Sequence, residues 1–207
     1  MYAHNLLFSS PLVNFFSMIN FFFPPDHEGS IEAETSKVVT RSFINTACFV
    51  EMFRGDEESR KEPMEFVFRK NLLMMKERSS EYLHYHFSED GTKLECFFML
   101  VPNFASTFTT FEKVFKGGVF EFILRYGYAP IHRLIKCSDW MDAFMAEVMT
   151  GRPRYYCLQR MIVHKEMQGK GVGSKYLGSA LTKADEEQVP VFLATHEQRN
   201  VTFYSRL

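Results

Sequence analysis

Residues 155–183 read YYCLQRMIVHKEMQGKGVGSKYLGSALTK, which is the most clearly patterned part of the chain. The apolar run at residues 155–163 predicts a β-strand, and the polar residues 164–167 predict a turn. A glycine-rich segment follows, and a helix is then predicted by apolar residues spaced three, four and seven apart, namely Leu177, Ala180, Leu181 and Ala184. A strand, a glycine-rich turn and a helix N-terminus together bind phosphate, because glycine lets the ligand approach and the first helical N–H groups are unpaired.

The spacing of the glycines decides which phosphate-binding motif this is. A P-loop needs four residues between its first glycine and a Gly-Lys-Ser/Thr sequence, but here Lys170 follows Gly169 directly. The dinucleotide fingerprint Gly-x-Gly-x-x-Gly also fails, because its last position falls on Ser174 or Tyr176. The segment fits Gln-x-x-Gly-x-Gly at residues 168–173.

With this motif the sequence resembles the GCN5-related N-acetyltransferase (GNAT) family, in which Gln/Arg-x-x-Gly-x-Gly/Ala grips the pyrophosphate of acetyl-coenzyme A. The flanks are similar to the family in order and spacing. Leu158, Met161 and Val163 match its fourth strand, residues 189–195 its fifth strand, and residues 200–204 its Asn-x-x-Phe-Tyr segment. The branch of small-molecule amine and antibiotic acetyltransferases is the closest pattern. An ordinary strand-turn-helix with incidental glycines is the alternative.

The resemblance implies an α/β (α+β) protein with the GNAT fold, in which a central, mixed, mostly antiparallel twisted sheet is flanked by helices. We expect an apolar N-terminal extension and linker over residues 1–36 and the GNAT domain over residues 37–207. Relatives continue beyond the position of Leu207 into two further strands, so we expect these C-terminal strands to be missing.

Composition limits the partners and the setting of the protein. At 207 residues, the chain suits one full-sized α/β domain, and 24 basic against 25 acidic side chains give no reason to expect nucleic acid. Residues 1–25 contain no charged side chain other than histidine, but polar residues and Pro11 break the apolar run. We therefore expect a packed or poorly ordered extension, with a membrane or targeting role as the alternative. Four scattered cysteines favour reduced thiols and a cytoplasmic protein.

The other elements are predicted from apolar periodicity and turn residues. In chain order these are a linker at 26–36, a helix at 37–53, a charged loop at 55–63, a helix at 64–75, hairpin strands at 82–87 and 94–101, two short helices within 104–135 and a helix at 139–149. The last helix has Trp140, Phe144 and Val148 inward. Five aromatics of the middle region either pack in the core or line an acceptor pocket, namely Phe115, Phe120, Phe122, Tyr126 and Tyr128.

The resemblance carries a set of binding residues onto this chain. In the family, free backbone N–H groups at a bulge in the fourth strand bind the pantetheine and the thioester carbonyl. The corresponding residues of this chain are Met161, Ile162 and Val163. The family's pyrophosphate-binding positions correspond in this chain to Gln168, Gly169, Lys170, Gly171, Val172, Gly173 and Ser174. Lys170 is equally well read as a solvated surface lysine. Asn200 is carried over as a coenzyme A contact.

The resemblance also implies the chemistry, which is N-acetyl transfer from acetyl-CoA to a small-molecule or peptide amine in a ternary complex. Tyr204 matches the family's general acid, since a phenol with a pKa of about 10 stays protonated at neutral pH. Many relatives carry a glutamate base where this chain has Ala194. His196, Glu95, His164 or a water chain are the alternatives for the base.

Two further alternatives stay open. His84 and His86 share one face of a strand, but no further ligands lie nearby in sequence, so we expect no metal. Ala194 and the expected loss of two strands favour a rival function, a non-catalytic or truncated protein of the same fold that binds CoA or regulates another protein. A homodimer is also left open.

Overall fold

The computed structural model describes residues 29–105, 108–195 and 197–207, without the side chains of Thr110 and Phe111. This part of the chain forms a four-stranded mixed sheet with helices on both faces, which confirms the predicted fold class. The elements are α1 (Ile31–Phe43), α2 (Ala47–Phe53), α3 (Glu57–Arg78), β1 (Leu83–Phe87), β2 (Leu94–Pro102), α4 (Thr110–Phe115), α5 (Val119–Tyr126), α6 (Tyr128–Val148), β3 (Tyr156–Val163), α7 (Val172–Glu186), β4 (Val191–Phe192) and α8 (Gln198–Tyr204).

The sheet has the strand order β1-β2-β3-β4. The β1–β2 and β2–β3 pairs are antiparallel, and the β3–β4 pair is parallel. The predicted hairpin between β1 and β2 is confirmed, and Ser88 N donates to Lys93 O at 2.9 Å across its turn. The parallel pair follows because helix α7 carries the chain back over the sheet between β3 and β4.

Alternation along β2 separates two apolar cores. Phe97 and Met99 face a core built with α1, α2, α3, α5 and α6, which we call the α3 face. Cys96, Phe98 and Leu100 face a second core built with α7, which we call the α7 face. Successive side chains of a strand point to opposite faces, and all five of these are buried.

The linker predicted at residues 26–36 is wrong for residues 31–36, which form the first turns of α1. Ser30 caps this helix by accepting a hydrogen bond from Ala33 N at 3.1 Å. Small polar residues mislead here because Thr35 and Ser36 are buried, with Ser36 Oγ donating back to Ala33 O at 2.7 Å. The single helix predicted for 37–53 is also wrong, since Thr46 N and Oγ1 both donate to Phe43 O and end α1.

The charged loop predicted at residues 55–63 is wrong as well, because α3 begins at Glu57. Asp56 caps the helix by accepting from Ser59 N at 2.9 Å, and Glu57 and Glu58 lie in its first turn. Acidic residues are favourable there because they face the positive end of the helix dipole. The charges therefore belong to the solvated first turns of a helix.

The separate helix predicted at 139–149 is instead the C-terminal part of a longer helix, α6. Pro130 is its third residue, where no intrahelical N–H donor is required. The inward orientation predicted for Trp140, Phe144 and Val148 is wrong, since these side chains are 61%, 41% and 50% exposed. Their spacing marks one side of α6, but that side faces away from the α3 face.

The five middle-region aromatics divide between core and surface. Phe122 is buried in the core of the α3 face and Tyr126 packs against it, whereas Phe115, Phe120 and Tyr128 are largely exposed. Within the described residues, no helix has the length and apolar character needed to cross a bilayer. The predicted apolar extension at residues 1–25 lies outside the described residues.

Candidate functional site

Strands β3 and β4 pair over only two residues and then separate. Tyr156 lies opposite Val191 and Cys157 opposite Phe192, where β4 ends. β3 continues to Val163, so in the described part of the chain its later residues have no strand on that side. The edge of β3 beyond Cys157 therefore offers backbone donors and acceptors to a ligand.

A β-bulge lies in this open part of β3. Phe97 pairs with Ile162 and Met99 with Gln159, so Arg160 and Met161 together oppose Phe98. Arg160 has a φ of 52°, in the left-handed region that a residue with a side chain adopts at a cost. The bulge implied by the resemblance is thus present directly before residues 162–163.

The segment after β3 holds unpaired amides at the start of α7. Gln168 Nε2 donates to Val163 O at 3.0 Å and ties this segment to the end of the strand. Gly169 and Gly171 have φ values of 75° and 78°, and Gly171 is the N-cap of α7 without a side-chain cap. Among the described residues, no acceptor bonds the N–H groups of Gly169, Gly171, Val172, Gly173 or Ser174.

Glycine at position 173 allows α7 to start close against the sheet. A Cβ there would lie 3.0 Å from Val163 Cγ2, 3.2 Å from Met161 Cε and 3.3 Å from Phe203 Cζ. The end of β3, the first turn of α7 and the C-terminal part of α8 therefore meet at one point. This point joins the three segments from which the sequence predicts site residues.

The charges of the segment are partly paired. Glu166 forms an ion pair with Lys93, which holds the pKa of that carboxyl below its usual range. Lys170 and Ser174 are exposed beside the unpaired amides. An anion at these amides would meet backbone donors, the positive end of the α7 dipole and the Lys170 ammonium.

Tyr204 and Asn200 lie on α8. The Tyr204 ring is half-buried against Phe203, with 5.0 Å between ring centroids. Burial raises the pKa of Tyr204, and the nearby Cys96 thiol raises it further, so the phenol is protonated at neutral pH. Asn200 Nδ2 donates to Thr195 Oγ1 at 3.2 Å and holds the start of α8 against the segment after β4.

The candidate bases are placed as follows. His164 N donates to Glu95 O at 2.8 Å, so these two residues are neighbours across β2 and β3. The His164 ring is engaged locally, because its Nδ1 accepts from Glu166 N at 3.3 Å. Ala194 is exposed just past β4, and His196 lies outside the described residues. The geometry singles out no base.

The histidine pair of β1 has a packing role. His84 stacks on Phe98 at 4.5 Å and His86 on Tyr176 at 3.8 Å between ring centroids. Burial lowers the pKa of both imidazoles. The described residues contain no group of three or more His, Cys, Asp or Glu that could hold a metal ion.

Sequence reasoning misses Arg160, although it carries a signal. It is a basic residue within the otherwise uncharged run of residues 155–163, which the sequence predicts to be a strand. Its guanidinium lies on the α3 face, where Nη1 donates to Asn71 Oδ1 and to Met99 Sδ, the latter at 3.3 Å. Arg160 thus places a positive charge beside the separation of β3 and β4.

Comparison with known families agrees with this geometry. Residues 128–207 match the model of the acetyltransferase (GNAT) family, and this range contains β3, the glycine segment, α7, β4 and α8. Residues 128–207 are therefore similar to a GNAT acetyltransferase family domain, and members of this family typically use acetyl-CoA. No curated protein matches the chain.

Proposed function

We propose that the protein is an N-acetyltransferase that moves the acetyl group of acetyl-CoA to a primary amine by direct attack in a ternary complex. One observation carries this proposal. The open edge of β3 and the unpaired amides at the start of α7 lie next to each other, because Gly173 packs against Met161 and Val163. A ligand with a polar chain and a pyrophosphate at one end fits these two neighbouring sets of backbone groups.

In this proposal the donor substrate is held mainly by backbone. The unpaired amides of residues 169 and 171–174 bind the pyrophosphate, and the open edge of β3 at residues 161–163 binds the pantetheine and the thioester carbonyl. Gln168 contributes by fixing the segment, since its side chain already donates to Val163 O. Donors held in place before the reaction are worth a few kcal/mol in the transition state.

In the proposed reaction, one bond forms and one bond breaks at the thioester carbon. The amine nitrogen bonds to the thioester carbon, and the carbon–sulfur bond breaks. The departing sulfur takes the proton of Tyr204 Oη, and the proton lost by nitrogen leaves through water or a base. The pKa of Tyr204 is raised by burial, so the phenol keeps its proton at neutral pH, and a general acid must be protonated before it reacts.

The acceptor proposed is a small-molecule or peptide amine, as in the branch of small-molecule and antibiotic acetyltransferases. The long helical region α4–α6 between β2 and β3 supports this branch. A cytoplasmic setting goes with it, since all four cysteines are free thiols.

Ala194 favours a second candidate function, the binding of CoA without catalysis. It is exposed at the end of the segment after β4 and offers no carboxylate to accept a proton from the amine. The two candidates differ in turnover and agree in binding.

The test is an acetyl-transfer assay with polyamines, aminoglycosides and dipeptides, in which released CoA thiol and acetylated product are both measured. We expect Tyr204→Phe to lower kcat about 10²- to 10⁴-fold without changing the Kd for acetyl-CoA. Tyr82→Phe removes another half-buried phenol hydroxyl and is the matched control with unchanged kcat. Binding without turnover would select the second candidate, and a folded chain that binds no acetyl-CoA would refute both.

A further inference from the structure

Arg160 has an incomplete set of partners for a half-buried cation. The described residues give its Nη1 two acceptors, Asn71 Oδ1 and Met99 Sδ, and its guanidinium carbon lies 5.2 Å from the centre of the Phe68 ring. No carboxylate of the described residues pairs with it. Burial without a counter-ion lowers the pKa of Arg160 to about 10, so the side chain is still charged at neutral pH.

The free part of the guanidinium is one complete edge. Neither Nε nor Nη2 has an acceptor among the described residues, and neither belongs to their fully buried unpaired atoms. Nε and Nη2 lie side by side and can donate two parallel hydrogen bonds to one carboxylate. Both atoms can be reached from solvent. Asn71 and Phe68 hold the other side of the plane in place.

The strained backbone at Arg160 sets the direction of the free guanidinium edge. A left-handed conformation costs a residue with a side chain about 1–2 kcal/mol, and such strain concentrates at functional sites. The bulge directs Arg160 to the α3 face, while Met161 and Val163 lie against α7 on the other face. The charge is therefore beside the separation of β3 and β4, across the sheet from the unpaired amides of α7.

We propose that Arg160 binds a carboxylate of the acceptor, so that the preferred acceptors are amines that also carry a carboxylate. This inference rests on the proposed acetyl transfer and names the substrate class of the same site. The phosphates of acetyl-CoA are assigned to the amides of α7 on the opposite face, which leaves Arg160 for the second substrate. A planar carboxylate satisfies both free donors and supplies the missing counter-ion.

The experiment compares dipeptides that have a free C-terminal carboxylate with the corresponding dipeptide amides, whose attacking amines are the same. We expect wild-type kcat/KM to be roughly ten- to hundredfold higher for the free acids, which is the effect of a hydrogen-bonded charge. Arg160→Asn should abolish this preference by raising KM for the free acids, so that their kcat/KM falls to the value for the amides. Asparagine tolerates the left-handed conformation and preserves the bulge.

Two further variants separate charge from folding. Asn71→Asp keeps Arg160 and gives it an internal carboxylate partner, so it should also remove the preference for free acids. Arg154→Asn removes a cation that is exposed and paired with Glu187 and Phe104, and it should retain the preference. Equal kcat/KM for acids and amides in the wild type would overturn the proposal. An equal fall in kcat for both acceptors in Arg160→Asn would also overturn it, because Arg160 would then act on the thioester.

A binding measurement decides the proposal independently of turnover. N-acetylated dipeptide acids and their amides are titrated calorimetrically into the chain in the presence of CoA. Binding of the acids alone, lost in Arg160→Asn, supports a carboxylate site even if no acetyl transfer is detected. Absence of acid binding, or equal binding of acid and amide, refutes it.

Discussion

Substitution of Gly171 by glutamate tests whether the amides of α7 bind phosphate. A Cβ at this position would meet nothing within 4 Å, so the side chain fits without a clash. The φ of 78° costs any L-residue about 1–2 kcal/mol, but glutamate recovers about 0.3–1 kcal/mol at a helix N-terminus. We therefore expect Gly171→Glu to fold and to be slightly less stable than the wild type.

We expect Gly171→Glu to bind acetyl-CoA more weakly because its carboxylate repels the phosphates. A carboxylate about 5 Å from a phosphate charge repels it by about 1–3 kcal/mol for an effective dielectric constant of about 20–80. Calorimetric titration with acetyl-CoA should therefore show an affinity about 5- to 150-fold weaker for Gly171→Glu, and a smaller difference at high salt.

Two variants are the controls for this measurement. Gly171→Ala has the same backbone cost without the charge and should bind nearly as the wild type does. Gly151→Glu introduces the same charge at an exposed glycine with a φ of 81° and open space, and should leave binding unchanged. Equal losses in Gly171→Ala and Gly171→Glu, or wild-type binding by Gly171→Glu, would refute the assignment of the phosphate to these amides.

Two predictions concern stability. Phe98→Ala should lower the free energy of unfolding by about 3–5 kcal/mol, measured by urea denaturation, because this ring is fully buried and stacked on His84; a loss below about 1 kcal/mol would contradict the packing. Burial holds the pKa of His84 and His86 below the ordinary 6.5, so the unfolded chain takes up protons first as pH falls. The free energy of unfolding should therefore be highest above about pH 6.5 and fall below that pH. As the pH is lowered, the urea midpoint of the His84→Gln/His86→Gln double variant should fall less than that of the wild type.

Local signals predict the hairpin and the strand–glycine–helix unit, because turn residues and apolar spacing act within a few residues. Gly171 and Tyr204 are predicted as site residues through the resemblance, and they stay predictions. The sequence does not identify Arg160, because the partners of this side chain come from α3, which lies far away along the chain.

The errors have a common physical origin. Residues 31–36 and 55–63 are polar, and polarity predicts a linker and a loop, although Ser30 and Asp56 cap helices there. The spacing of Trp140, Phe144 and Val148 correctly indicates a helix. It does not indicate burial, because a periodic pattern defines a face without saying what lies against that face.

The exposed position of Trp140 has a consequence for spectroscopy. It is the only tryptophan of the chain, is 61% exposed and stacks on Phe144 with 5.6 Å between ring centroids. Its fluorescence therefore reports the surface of α6 and is a poor signal for melting of the core. The same property makes it useful, since an emission shift to shorter wavelength would detect any molecule that covers this side of the helix.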